Sequence, residues 1–258
     1  MKTKLVTIVL TALFTLSAIL PASVWAAPAA DLSTVATSVA RIEVFDSAGD
    51  VIGVGSGSII DSRGLVLTNY HVIEASAETN YMVGVQVPTS VRSNEFTPYS
   101  GYVSAVDAEL DLAVVQIVAT LDWKPVEALT FPALALGDSD ALELGEEVIA
   151  IGYPDISVLH LATTRGNIAG FMEDPGWILS DVVTSNGNSG GALTNLNEEL
   201  VAIPSMVNTG ANSGSTMSYA RPVNLAMPLI ETALGSYEKV ANVVFSQSAQ
   251  TVGNHSPA

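Results

Sequence analysis

The stretch NGNSGG at residues 186–191 is the most informative part of the chain, because it sets one serine among glycines and asparagines. Such a run allows the backbone to turn tightly around Ser189. A serine nucleophile needs an exposed hydroxyl and nearby N–H groups directed at a developing oxyanion, and a tight turn can supply both. Ordinary loops have the same composition, so this stretch alone leaves both a nucleophile and a simple turn open.

A histidine lies far upstream of that serine, in the segment LTNYHV at residues 67–72. Imidazole titrates near neutral pH, so His71 is suited to accept a serine proton and return it to a leaving amine. The chain has three histidines, of which His160 falls in a loop-like stretch and His255 in the C-terminal tail. The alternative for His71 is a buried histidine with satisfied hydrogen bonds at the end of a strand.

An aspartate precedes a long apolar run in the segment LDLAVV at residues 110–115. A carboxylate at the start of a buried strand is costly unless it has a partner. Asp107 and Glu109 are competing carboxylates, but no apolar run follows them directly, which favours solvated loop positions for both. The pattern therefore favours Asp111 as the partner of His71.

Short strand patterns dominate the chain. Residues 41–45 alternate polar and apolar side chains, and the nearly continuous apolar run at 112–118 predicts a strand buried on both faces. Further strands are predicted at 51–60, 65–68, 81–87, 102–106, 147–152, 161–168, 199–203 and 217–220. Pro98 favours a loop over 92–101, and the one good helix candidate is 222–235, with Gly235 as its stop. This succession of short strands and turns predicts an all-β fold of two barrels with one late helix. The sequence contains no internal repeat.

The first residues predict an export signal. Lys2 and Lys4 precede an almost uncharged apolar run at 5–20, and small residues suited to cleavage follow up to Ala26. This pattern is typical of a secretory signal peptide at residues 1–26, which predicts a periplasmic or extracellular protein. The alternative is an uncleaved membrane anchor, for which the run is somewhat short. No later segment is apolar enough to span a bilayer, so we expect a soluble mature protein without a membrane partner.

Charge and cysteine content exclude several classes of function. The formal net charge of −17 repels nucleic acid and anionic membrane surfaces, so neither is an expected partner. Adaptation to a salty exterior is an alternative reason for the acidity. The chain has no cysteine, which excludes disulfides, a thiolate nucleophile and cysteine-ligated metal. We expect no cofactor and no metal.

The three segments together resemble trypsin-like serine proteases of the HtrA/Deg branch, whose triad follows the order His, Asp, Ser. The matching strings are TNYHVI at 68–73, DLAVVQI at 111–117 and GNSGG at 187–191. Secondary matches are ALGDS at 135–139, AIGYP at 150–154 and YARP at 219–222. The resemblance extends over residues 35–230. Each string is weak by itself, but their order and spacing are highly specific.

The resemblance implies the chymotrypsin-type fold, with two six-stranded β-barrels and a C-terminal helix. It implies an N-terminal barrel at 27–130, a C-terminal barrel at 131–239 and a flexible tail at 240–258. His71 would be the general base, Asp111 its orienting carboxylate and Ser189 the nucleophile. The oxyanion hole would be formed by Gly187, Asn188 and Ser189, through the N–H groups of Gly187 and Ser189.

The pocket for the residue before the scissile bond, S1, is carried over by position from the same resemblance. Its predicted lining consists of Val182, Val183, Ile203, Pro204, Ser205 and Ala220. No acidic residue stands at its base, so we expect a preference for a small, apolar P1 residue. Two departures from the family are expected: no PDZ domain follows the helix, and Pro204 removes a backbone donor from a strand that would bind substrate.

These features predict an exported serine endopeptidase that acts on unfolded or damaged proteins through an acyl-enzyme. Polypeptides are the expected partners, and the oligomeric state is open. One alternative is a binding or chaperone-like protein on a protease fold, since a fold alone does not establish activity. Another is a glutamyl-specific secreted protease, which would need a basic or histidine-lined S1 pocket.

Overall fold

The computed structural model describes residues 32–77, 82–92, 95–126, 128–154, 160–174, 176–205 and 217–253, with side chains described as far as Val240. The signal peptide predicted at residues 1–26 lies outside these ranges.

Twelve strands of the described chain form two closed antiparallel barrels, which confirms the predicted fold. The first barrel contains β1 (Val39–Phe45), β2 (Val51–Asp61), β3 (Leu65–Thr68), β4 (Met82–Pro88), β5 (Phe96–Asp107) and β6 (Leu112–Thr120). The second contains β7 (Glu147–Gly152), β8 (Ala162–Met172), β9 (Trp177–Ser180), β10 (Ala192–Thr194), β11 (Leu200–Ser205) and β12 (Ser218–Pro222). The rings run β1-β2-β3-β6-β5-β4 and β7-β8-β9-β12-β11-β10, so the two barrels share one topology.

Strand β6 is buried on both faces, as its apolar sequence predicts. Ala113, Val115 and Ile117 alternate into the core of the first barrel. Leu112 and Val114 point the other way, into a cluster that joins the two barrels and also contains residues of β7, β10 and β11. A third cluster fills the second barrel. The joining cluster holds the edges of the two barrels against one another.

Three α-helices and one short 3-10 helix (Ser139–Ala141) complete the described chain; the α-helices are α1 (Ser33–Thr37), α2 (Tyr70–Ala77) and α3 (Val223–Gly253). Helix α2 was not predicted, because it is short and contains β-branched residues that favour helix weakly. Among the described residues, no helix combines the length and apolar character needed to cross a membrane.

Helix α3 runs past Gly235, so the predicted stop there was wrong. A glycine inside a helix is tolerated at a cost of about 1 kcal/mol, and here the buried face continues beyond it. Ala233, Tyr237 and Val240 are all buried on that face. The helix therefore extends into the predicted tail at 240–258, whose flexibility stays a prediction.

The loop predicted around Pro98 was also wrong in part, because β5 begins at Phe96 and includes the proline. Pro98 pairs with Gln86 of β4, whereas pairing with β6 begins one residue later, at Tyr99. Proline is tolerated where a strand has one neighbour, because no ladder bond to a second strand is lost.

Candidate active site

Strand pairing brings His71 and Asp111 together. Strand β3 runs antiparallel to β6, with Thr68 opposite Ala113, so the end of β3 lies beside the start of β6. The ring Nδ1 of His71 lies 2.9 and 3.0 Å from the two carboxylate oxygens of Asp111. The backbone N–H of His71 also donates to this carboxylate, at 2.9 Å. With Nδ1 engaged, Nε2 is the ring nitrogen left to exchange a proton with a third group.

Hydrogen bonds from two further residues, Asn69 and Ser205, hold Asp111 in place. Its φ of 56° is left-handed, and Asn69 Nδ2 donates to its backbone carbonyl at 2.9 Å. The hydroxyl of Ser205 donates to its carboxylate at 2.7 Å. Burial raises the pKa of Asp111, but the hydrogen bonds from His71 and Ser205 outweigh it, so the pKa lies below its ordinary value. The carboxylate therefore stays ionised beside the imidazole.

A buried arginine lies next to the turn that carries Asp111. Arg221 on β12 donates to the backbone carbonyl of Glu109 at 3.4 Å and to that of Gly176 at 3.1 Å. Its guanidinium lies 3.5 Å from the centre of the Trp177 ring. Burial lowers the pKa of Arg221, and the negative charge of Asp111 raises it. Arginine nonetheless keeps its charge in proteins, so the second barrel contributes a cation near Asp111.

Ser189 lies in a turn that requires glycine. Gly187 and Gly190 have φ values of 94° and 82°, a conformation that side chains disfavour. A methyl group at Gly190 would also overlap the Ser56 carbonyl and the Thr68 side chain. Ser189 itself is 5% exposed. The turn is thus packed tightly against β2 and β3 of the first barrel.

Contacts from β2 and β11 link this turn to the His71–Asp111 pair. A Cβ added at Gly55 of β2 would overlap Val72, next to His71, and would lie 3.3 Å from the Ser189 carbonyl. On β11, the Pro204 carbonyl accepts the Gly190 N–H at 2.9 Å, and the following residue is Ser205, the donor to Asp111. The segments that carry His71, Asp111 and Ser189 therefore all contact strands β2 or β11.

The predicted S1 residues occupy different environments. Val182 and Ala220 belong to the core of the second barrel, Ile203 belongs to the cluster between the barrels, and Pro204 is buried on β11. Val183 is 66% exposed, just before the Ser189 turn. Ser205 is engaged with Asp111. These placements leave the S1 assignment a prediction.

Residues 55–203 match the family model described as a trypsin-like peptidase domain. A relative from Marinomonas sp. (strain MWYL1), named probable periplasmic serine endoprotease DegP-like, is 33% identical over 78% of this chain and 39% of its own length. The magnetosome formation protease MamE of Magnetospirillum gryphiswaldense is 33% identical over 68% of this chain and 22% of its own. The probable periplasmic serine protease do/HhoA-like of Haemophilus influenzae is 30% identical over 70% and 37%.

The chain spans between 22% and 39% of the length of these relatives. The match to the family model covers more than half of the chain and includes all three segments from which the resemblance was inferred. Two closed barrels of one topology agree with it. The chain therefore belongs to the trypsin-like peptidase domain family.

Proposed function

We propose that this protein is an exported serine endopeptidase that uses His71, Asp111 and Ser189 to hydrolyse peptide bonds. The observation that carries the proposal is the pairing of His71 with an ionised Asp111, together with a serine in a glycine turn that packs against β2 and β3. A carboxylate on the solvated surface forms its hydrogen bonds with water, whereas Asp111 accepts hydrogen bonds from His71 and Ser205. Perturbed carboxylates paired with histidine cluster at sites of chemistry.

In the first half of the reaction, the Ser189 hydroxyl attacks the substrate carbonyl carbon while Nε2 of His71 accepts its proton. The carbonyl oxygen becomes an oxyanion, to which the N–H groups of Gly187 and Ser189 donate, with Asn188 between them. Asp111 orients the ring through Nδ1 and stabilises the imidazolium. The C–N bond then breaks, and His71 gives its proton to the leaving amine.

The second half releases the acyl group. Water attacks the ester formed on Ser189, His71 accepts a proton from that water, and the C–O bond to Ser189 breaks as the proton returns to the serine. These steps need no cofactor. We expect Asp111→Asn to lower kcat for casein hydrolysis by about 10⁴-fold, because the imidazole would then hold the wrong tautomer.

The names of the relatives support a substrate class and a location for this protein. Their names describe a periplasmic serine endoprotease and a periplasmic serine protease, so we propose that this protein is exported and cleaves polypeptides. As the resemblance to the HtrA/Deg branch implies, we propose unfolded or damaged proteins as its substrates. For the S1 pocket we propose Val182, Val183, Ile203, Pro204, Ser205 and Ala220, with Val183 the exposed member. This lining would favour a small, apolar P1 residue.

Hydrolysis of unfolded, dye-labelled casein by wild type and by Ser189→Ala tests the proposal. We expect wild type to cleave and the variant to lose about 10⁶-fold in rate. A folded wild type that binds casein without cleaving it would favour the alternative, a binding or chaperone-like protein. Cleavage restricted to glutamate at P1 would contradict the proposed pocket.

A further inference from the structure

Ser56 on β2 is fully buried, and each of its polar groups is hydrogen bonded. Its backbone N–H donates to the Ser189 carbonyl at 2.9 Å, and its own carbonyl accepts the Thr68 hydroxyl at 2.7 Å. Its side-chain hydroxyl donates to the Gly187 carbonyl at 2.7 Å and accepts the Tyr153 N–H at 2.8 Å. One residue of the first barrel thus holds the Ser189 turn and the end of β7 together.

These bonds fix the peptide that supplies an oxyanion donor. The Asn188 carbonyl accepts the Gly191 N–H at 3.0 Å. In a trans peptide the C=O and N–H point in opposite directions, so this bond directs the Ser189 N–H the other way. The Ser56 hydroxyl donates to the Gly187 carbonyl, which belongs to the preceding peptide. The Ser56 N–H donates to the Ser189 carbonyl, which belongs to the following peptide. Ser56 therefore secures both flanks of the donor peptide.

We propose that Ser56 is a positioning residue that sets the orientation of the oxyanion hole from the opposite barrel. The proposal rests on the proposed function of Gly187 and Ser189. Ser56 does not touch the reacting atoms, because its hydroxyl is already engaged by Gly187 and Tyr153. Without this hydroxyl, the Gly187 carbonyl loses its donor and the peptide can rotate. An oxyanion hole acts through donors that are oriented before the reaction, so such freedom lowers the rate of chemistry more than substrate binding.

Ser58 offers a matched control on the same strand. It lies two residues further along β2 and is as fully buried as Ser56. Its hydroxyl has no hydrogen-bond partner within the described part of the chain. Ser58→Ala therefore removes an equally buried hydroxyl without removing a contact to the Ser189 turn.

The test compares kcat and KM for dye-labelled casein in wild type, Ser56→Ala, Ser56→Cys and Ser58→Ala, below the melting temperature of each. We expect Ser56→Ala to lower kcat about 10- to 100-fold with KM changed less than about twofold. Ser56→Cys keeps the side-chain shape, with a somewhat larger atom and a weak donor, so we expect an intermediate kcat. The protein has no other cysteine, so the new thiol has no intramolecular partner. Ser58→Ala is expected to retain kcat within about twofold.

A kcat of Ser56→Ala or Ser56→Cys equal to that of Ser58→Ala would overturn the proposal. So would a parallel rise in KM, or a loss of rate that only follows the folded fraction measured by circular dichroism. If Ser56→Ala does not fold, the kcat of Ser56→Cys decides. An inactive, folded wild type would overturn the proposed function together with this inference, whereas an active wild type with active Ser56 variants would overturn this inference alone.

Discussion

Asp111 adopts a left-handed backbone conformation, which few residues other than glycine adopt readily. Asn69 stabilises it through the backbone carbonyl, and the chain thereby turns sharply just before β6. The apolar run after Asp111 was enough to select it from the sequence over Asp107 and Glu109. Its contact with Ser205 could not be predicted, because the two residues lie on different barrels and no local pattern links them.

The lowered pKa of Asp111 predicts acid sensitivity of the fold. Because the folded state holds this carboxylate below its ordinary value of 3.8, the unfolded state binds the proton more tightly. The resulting stabilisation is present above about pH 4 and is lost as pH falls through the lowered pKa. We expect the stability difference between wild type and Asp111→Asn, measured by urea unfolding, to shrink below pH 4. A difference that is constant from pH 6 to pH 2.5 would contradict this.

At the scale of elements, the meeting of two strand ends places the site. The end of β3 delivers His71 and the start of β6 delivers Asp111, because Thr68 and Ala113 pair in antiparallel register. The short apolar stretch at 65–68 and the continuous apolar run at 112–118 predicted both strands. Helix α2 and the length of α3 were missed, since they depend on packing against the barrels more than on local propensity. The role of Arg221 was also missed, because its partners are backbone carbonyls of residues far away in the sequence.

Loss of Arg221 is expected to destabilise the protein. Arg221→Met removes the hydrogen bonds that a buried guanidinium donates to the carbonyls of Glu109 and Gly176, at a cost of about 1–3 kcal/mol. Arg165→Met is the control, because Arg165 pairs with Glu147 at 2.7 Å on an exposed surface, where such pairs contribute about 0–1 kcal/mol. Urea unfolding measures both. Equal effects of the two substitutions would show that the buried arginine contributes no more than a surface ion pair.

At the scale of the whole molecule, two barrels of one topology carry the candidate site between them. The two barrels have the same strand order, yet the sequence shows no repeat. An apolar and polar pattern is enough to define a strand, and many different residues satisfy the same pattern. The cluster between the barrels combines Leu67 and Val114 of the first barrel with Ile151 and Ile203 of the second. Helix α3 is hydrogen bonded to the first barrel, since the Tyr237 hydroxyl donates to the Arg63 carbonyl at 2.8 Å.

This shared apolar cluster predicts that the two barrels unfold together. Separating them would expose Ile151 and Ile203, which are almost fully buried, and apolar exposure is unfavourable. We expect one calorimetric transition, with equal calorimetric and van't Hoff enthalpies. Two resolved transitions would show that each barrel folds independently of the interface.

The most direct test of the central claim, that His71 activates Ser189, is covalent labelling of the folded protein with diisopropyl fluorophosphate. The Ser189 oxygen forms a bond to phosphorus as the P–F bond breaks, fluoride leaves, and His71 accepts the serine proton. We expect peptide mapping by mass spectrometry to find the adduct on Ser189 in wild type, with labelling at least about 10³-fold slower in His71→Ala. No adduct on Ser189, or equal labelling rates in the two folded proteins, would contradict the claim.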